Sequence, residues 1–305
     1  MFKHTKSSLI LLSIVLLIIA GCQGETVTNV SGPYKGLTGT KMIEAVFASD
    51  APITLENDPY IKGDAIDIIV ELSNKHTEDI AQGNVRVRLT GDSAIPNFFS
   101  GAKEVIAPTL IGFDTEINQA TPEEIDLGPL YYIGDLPAKT SKKITGQYCY
   151  QYPVKVKGFL YYTDKPLEIG TTLPTGSNPP SSVVVTSVDQ QAVDVRDGQG
   201  KLRFRVTVKN VGTGNLVPSM AECFTYRGKR ETEFLSIVAS GAYPITCDNG
   251  GLIRLNKDTS EKIVSCEVTG INPSNLGSEP SELSLTLIGF AYEDEILPAS
   301  IWLEP

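Results

Sequence analysis

Histidine is almost missing from this chain: there are two in 305 residues, His4 and His76. His4 falls in a stretch that reads as a removable leader, which leaves His76 alone. It stands in Asn74-Lys75-His76-Thr77-Glu78, a polar turn after a strand, where a solvated side chain is expected. A Ser-His-Asp or Cys-His site would have to use it, and no Gly-x-Ser-x-Gly elbow accompanies it. No phosphate-cradling glycine loop precedes a helix. There is no Cys-x-x-Cys pair and no histidine adjoins a cysteine, so no zinc site is expected. Basic residues are in deficit, 26 against 36 acidic ones, and nowhere cluster. That balance excludes a nucleic-acid footprint and repels anionic lipid. No catalytic residue, metal or cofactor is assigned. Paired carboxylates are the one catalytic chemistry that counting leaves open, because acids abound.

What is present begins with the leader. Lys3 and Lys6 make a short positive start, and Leu9 to Ala20 is apolar apart from Ser13. The run is well short of the roughly 20 residues that span a bilayer, and it has the layout of a signal peptide. It closes on Ile19-Ala20-Gly21-Cys22, which resembles a lipobox. Small Ala20 and Gly21 admit the peptidase, and the Cys22 thiol takes up lipid. The expectation is residues 1–21 as lipoprotein signal peptide, Cys22 as lipidation site, and 22–40 as a polar, Gly/Ser/Thr-rich tether. A plain secretory signal with an incidental Cys22 is the alternative. Loss of Lys3 and Lys6 takes the net charge from -10 to -12, and about 280 residues remain, enough for two domains.

Helical periodicity is scarce too. Short apolar alternations punctuated by Gly, Pro, Asn and Asp fit an all-β sandwich or barrel. Val85-Arg86-Val87-Arg88-Leu89 points apolar residues one way and arginines the other. The exception is Thr121-Pro122-Glu123-Glu124, where a hydroxyl cap, an early proline and early acids predict one helical turn. Residues 171–182 (TTLPTGSNPPSS) read as a Pro/Gly/Ser linker. Around it the chain reads as a repeat: Ser141-Lys142-Lys143-Ile144 with Gly158-Phe159 and Tyr161 resembles Ser260-Glu261-Lys262-Ile263 with Gly289-Phe290 and Tyr292. The expected architecture is two tandem immunoglobulin-like β-sandwiches, 41–170 with a long insertion and 183–305.

Lys201 to Asn215 (KLRFRVTVKNVGTGN), with Val206, Val208, Asn210 and Gly212, resembles the second strand and turn of CARDB-like immunoglobulin folds. Its counterpart, Ile66 to Asn74, keeps the asparagine and puts His76 where the glycine stands. The lipobox, Gly134 to Ala138, Cys149-Tyr150-x-Tyr152, the linker, and Cys247 and Cys266 around Gly251 to Leu255 resemble uncharacterised archaeal-type surface lipoproteins. The likeness implies a fold and an extracytoplasmic, lipid-anchored location. It brings no catalytic residue.

Four cysteines besides Cys22 allow three pairings. A hairpin of 252–255 with 263–266, turning at Lys257-Asp258-Thr259, would bring Cys247 level with Cys266. That pair is expected, Cys223–Cys247 is the other arrangement considered, and Cys149 is expected to be free. Four buried thiols are the alternative. Asp194 to Gly200 is an acidic turn that could touch calcium but lacks the ligand alternation of a calcium loop and reads as a hairpin turn, and Asp50, Glu56 and Asp58, read as flanking a strand, could do the same. Glu293-Asp294-Glu295 reads as a solvated turn. Seven of the twelve tyrosines lie between Tyr131 and Tyr162, and parity turns Tyr148, Tyr150 and Tyr152 inward. Tyr131 and Tyr132, in the long insertion, are the candidate contacts for a partner. The function expected is a non-catalytic surface component with a structural, adhesive or assembly role. The alternatives are ligand binding, carbohydrate included, and a carboxylate hydrolase. Partners are the membrane, through Cys22, and proteins or glycans, with no nucleic acid.

Overall fold

A computed structural model describes residues 31–37, 39–91, 98–165, 173–225, 234–255, 261–277 and 279–305. The described chain is almost wholly β, with no α-helix among the described residues. Up to residue 161 the strands are β1 (Ile43–Phe47), β2 (Ala65–Ile66), β3 (Ile69–Asn74), β4 (Val85–Thr90), β5 (Phe99–Ser100), β6 (Glu104–Ile106), β7 (Pro122–Asp126), β8 (Leu130–Tyr132), β9 (Thr140–Tyr150) and β10 (Val154–Tyr161). After the Pro-rich segment come β11 (Val183–Gln190), β12 (Asp194–Arg196), β13 (Gln199–Asn210), β14 (Asn215–Val217), β15 (Phe234–Ser240), β16 (Ile245–Cys247), β17 (Leu252–Arg254), β18 (Glu261–Ile271), β19 (Pro280–Ile288) and β20 (Ala291–Leu303).

Alternation sets the faces. In β4, Val85, Val87 and Leu89 are buried while Arg86 and Arg88 look outward. β10 behaves likewise, with Val154, Val156, Gly158 and Leu160 inside. Each fully buried Val, Leu or Ile contributes roughly 1.5–3 kcal/mol. These side chains form one contiguous apolar cluster running from Met42 to Leu303. Residues Ser31–Pro305 are one compact unit.

The sheets are ordered β1-β3-β7, β14-β20-β9-β4-β6, β11-β13-β18-β16 (with β12 beside β13), β10-β19-β15-β17 and, as a small cap, β2-β8-β5. The first two make one sandwich, joined where the Tyr148 hydroxyl on β9 donates to Ile43 O on β1 (3.1 Å). The next two make another. Their strand orders correspond: β1-β3-β7 to β11-β13-β18, and β9-β4-β6 to β19-β15-β17. The strand completing each set comes from the opposite half of the sequence. β20 pairs with β9 from Tyr292↔Tyr150 to Leu303↔Thr140, and β10 pairs with β19 from Val154↔Leu287 to Tyr161↔Pro280. The halves exchange strands reciprocally.

This corrects the expectation that 41–170 and 183–305 each build a separate sandwich. A reason lies in Gln151-Tyr152-Pro153, the whole of the β9–β10 connection. A residue before proline is held extended, so the chain runs on instead of reversing into a hairpin. Gln151 N donates to Asn84 O (2.9 Å) and fixes the exit. The expected linker is tied down as well. Ser177 O accepts from Lys157 N (3.1 Å), and the Asn178 amide makes two 2.8 Å bonds to the Val185 backbone. Residues 171 and 172 lie outside the described set.

Two further expectations change. Pro122–Asp126 is a strand, not a helical turn; it pairs with β3 along Ser73↔Pro122 to Ile69↔Asp126, and pairing overrides the local cap signal. Ser141–Ile144 lies in β9 and Glu261–Ile263 in β18, which occupy different places in the two sandwiches, so that repeat is not structural. The match of Asn74 with Asn210 is. Asn74 Oδ1 accepts from His76 N (2.9 Å) and Asn210 Oδ1 from Gly212 N (3.1 Å), the same turn after equivalent strands.

Candidate functional site

Cys22 and the leader lie outside the described residues. The other four cysteines form two disulfides. Cys247 and Cys266 stand directly opposite on β16 and β18, with Cα atoms 4.0 Å apart. That is the expected pair, reached by a different route: β17 pairs with β15, not β18, so the hairpin invoked for it does not exist. Its tip, 257–259, is outside the described residues. Cys149 is not free. It bonds Cys223, 74 residues on, and draws a segment of the second half over the outer face of β9. There Cys149, Val217, Cys223, Phe224 and Ala291 form a small separate core, with the Arg88 guanidinium 4.5 Å from the Phe224 ring centre. Loops of these two sizes contribute roughly 3 and 4 kcal/mol in the chain-entropy account. The two bonds indicate an oxidising, extracytoplasmic environment. No described helix is long and apolar enough to cross a membrane.

His76 is not the solvated residue that its polar neighbours suggest. It is fully buried, between the rings of Tyr34 and Tyr152 at 5.7 and 5.0 Å. Its Nδ1 accepts from Glu78 N (2.9 Å), which puts the proton on Nε2. Burial pushes its pKa below the usual range; the Glu78 carboxylate opposes and Lys155 assists. Glu78 in turn accepts from Tyr152 OH (2.5 Å) and pairs with Lys155 Nζ (2.7 Å), which hold its carboxyl below the ordinary range. This is a packed joint at the β9–β10 crossing, shielded from solvent: the imidazole is engaged through Nδ1, while its buried Nε2 has no hydrogen-bond partner among the described residues.

The acidic run is also corrected. Glu293, Asp294 and Glu295 sit inside β20, not in a turn. Asp294 is buried; it accepts from Tyr148 OH (3.2 Å) and Thr213 Oγ1 (3.1 Å) and pairs with Lys41 Nζ (3.1 Å). Glu293 accepts from Phe224 N (2.7 Å). Asp194–Arg196 is a short strand beside β13, and Arg196 pairs with Asp194 (3.0 Å). No group of three metal-binding side chains occurs among the described residues.

Tyr148 and Tyr150 are core, as their parity requires. The two candidate contacts divide. Tyr132 is fully buried under the cap sheet, its ring 6.1 Å from that of Phe99, and is withdrawn as a contact. Strand parity sends its neighbour Tyr131 to the other face, where it is 42% exposed.

Tyr131 belongs to a surface built by three distant segments. It lies opposite Ala65 on β2 and Ser100 on β5. Gly63 N donates to Tyr132 O (2.8 Å), Tyr60 N to Trp302 O (2.9 Å) and Glu304 N to Tyr60 O (2.8 Å). Residues 53–64, 130–139 and 302–304 are thereby fastened together. They sit at the end of β20 away from the crossing, roughly 40 Å along the strand. Ile53, Leu55, Ile61, Tyr131 and Ile133 are exposed here, Leu55 at 62%. A hollow of about 240 Å³ opens among Ile53, Asp58, Pro59, Tyr60, Asp64 and Ala65. The sequence reading missed Ile53, Leu55 and Ile61. Their signal was apolar residues set among Pro52, Asn57, Pro59 and Gly63, where no strand alternation can bury them.

Neither a known protein family nor a curated protein matches this chain.

Proposed function

We propose that this chain is a lipid-anchored, non-catalytic surface protein that holds a partner at the pole formed by 53–64, 130–139 and 302–304. The observation that carries the reading is the gathering of five exposed large apolar side chains on segments hydrogen-bonded to one another. Where exposed apolar side chains gather on one part of a surface, they mark interaction sites. The lipobox-like Ile19-Ala20-Gly21-Cys22 supports the anchor, the two disulfides support the address, and the resemblance to CARDB-like surface modules agrees with both. The shielded His76 supports a role without turnover.

The test uses the mature chain displayed on vesicles through Cys22 and cell-envelope preparations as the source of partner. Tyr131→Ser with Ile133→Ser should lower capture about tenfold, equivalent to 1.4 kcal/mol, at an unchanged melting temperature. Unchanged capture removes the pole from the proposal. Cys22→Ser should release the protein from vesicles; retention without lipid removes the anchor. A second reading, carbohydrate binding, rests on the exposed Tyr131 ring, and capture of protein-free envelope glycan in the same assay would favour it.

A further inference from the structure

We infer that the partner seated on this pole is a protein or peptide presenting lysine or arginine beside apolar side chains; the inference rests on the docking reading above. The argument is charge complementarity across an apolar surface. Asp58 and Asp64 line the hollow with Ile53 and Tyr60. Asp64 accepts from Ile61 N (2.8 Å), an uncharged donor. No described lysine or arginine forms an ion pair with either carboxylate.

The nearby cations are committed elsewhere. Lys62 pairs with Asp135 (2.5 Å). Lys139 donates to the Glu56 carbonyl and lies 5.8 Å from the Trp302 ring centre. The Tyr60 hydroxyl senses the resulting field. Its pKa is raised first by burial, lowered by the bond from Ile53 N, and raised again by Asp67, Asp58 and Asp64. Two carboxylates, Asp58 and Asp64, therefore face the hollow, and no described ion pair neutralises either.

That combination selects among occupants. Anionic headgroups and phosphates are repelled by the carboxylates. A sugar gains from a flat ring, and Tyr131 is one ring among four aliphatic side chains. A basic segment with apolar neighbours satisfies both parts of the surface: its stems lie on Ile53, Leu55 and Ile61, and its charged heads meet Asp58 and Asp64. Such a pairing also suits a chain whose net charge is -10, which steers cationic partners toward it.

The probes are two synthetic peptides of equal length, one alternating leucine with lysine and the other leucine with glutamate. Binding is read by fluorescence anisotropy on the mature chain and on three double variants. The lysine peptide should bind the unaltered chain more tightly than the glutamate peptide. It should lose roughly tenfold in Asp58→Asn with Asp64→Asn, and again in Tyr131→Ser with Ile133→Ser. Asp189→Asn with Asp194→Asn, on the other sandwich, should change nothing, which separates a site from general attraction to an acidic protein. Equal binding of the two peptides, or an equal loss in the remote variant, overturns the inference. If the Tyr131/Ile133 variant weakens both peptides alike and the Asp58/Asp64 variant weakens neither, the pole docks a partner of other chemistry: the inference falls and the docking reading stands. If neither variant matters, both fall. Should Asp64→Asn disturb folding through the bond from Ile61, Asp58→Asn alone, in an exposed turn, is expected to show a severalfold loss, and its absence counts equally against the inference.

Discussion

The two crossing points of this molecule are built alike and filled differently. Behind β9, Tyr152 folds onto the turn after β3 and meets His76. At the start of β20, Tyr292 folds onto the turn after β13 and meets Gly212; its hydroxyl accepts from Gly214 N (2.8 Å) and lies 3.4 Å from Asn210 Oδ1. A tyrosine thus fastens each turn just where the chain leaves one sandwich for the other. Where the turn residue is glycine, the tyrosine hydroxyl enters the turn and its pKa is pushed up to about 12, chiefly by burial. Where it is histidine, the hydroxyl is displaced outward to Glu78 and the ring packs at a tilt against the imidazole instead. One joint is sealed by a tyrosine hydroxyl bonded to the turn, the other by a tilted aromatic contact and a titratable group.

The largest way to break the comparison is to remove a crossing strand. A chain ending at Phe290 loses the partner of β9 and the support of β14, and should fail to give a cooperative melt by circular dichroism. Residues 183–305 expressed alone lack β10 and should fail likewise, because β19 is left with an open edge. Two stable pieces would show that the exchange is dispensable.

A smaller effect comes from making the joints alike. A side chain at Gly212 would overlap the Tyr292 hydroxyl and the Ser182 side chain. Gly212→Ala should cost about 1–3 kcal/mol, the usual penalty of overpacking, read from the shift in denaturant midpoint. A neutral result would mean that Tyr292 can swing away as Tyr152 does.

The smallest and most specific effect is on pH. The folded pKa of His76 lies below its unfolded value of about 6.5, so the unfolded chain takes up a proton first. Stability is then full above about pH 6.5 and declines as pH falls through that value toward the folded pKa. His76→Gln should flatten this slope between about pH 8 and pH 5, a window in which Glu78, held low by Lys155 and Tyr152, stays ionised. An unchanged slope would assign the pH dependence to another group.

Much of this fold was legible, because strands announce their faces. The alternation in β4 and β13 gave the buried sides, and the parity of β9 gave Tyr148 and Tyr150 as core. Partnership was not legible. Nothing in Gln147 to Tyr150 says that the neighbour is Asp294, 146 residues from Tyr148, and not β10 three residues away. Three later misses follow from that one. Cys149 reads as isolated until β14 and the residues after it are known to lie across β9. Glu293 to Glu295 read as a turn until β20 is seen to continue through them. His76 reads as solvated because burial comes from Tyr34 and Tyr152, both remote in sequence. At the pole, Tyr131 is exposed and Tyr132 was wrongly joined to it, since an adjacent pair in a strand always splits between faces.

The exchange also bears on how the chain is made. β20 leaves the ribosome after every other strand in this sequence, yet it fills an inner place in the sheet that holds β9 and β4. Until it arrives, β9 presents eleven residues of unpaired edge, the kind of surface that recruits other chains. The first half therefore cannot finish early and wait; it must be kept from aggregating through the whole of synthesis and export. A message cut short anywhere before β20 yields no half-working product. Completion of the fold is in effect a check that β20 has been delivered.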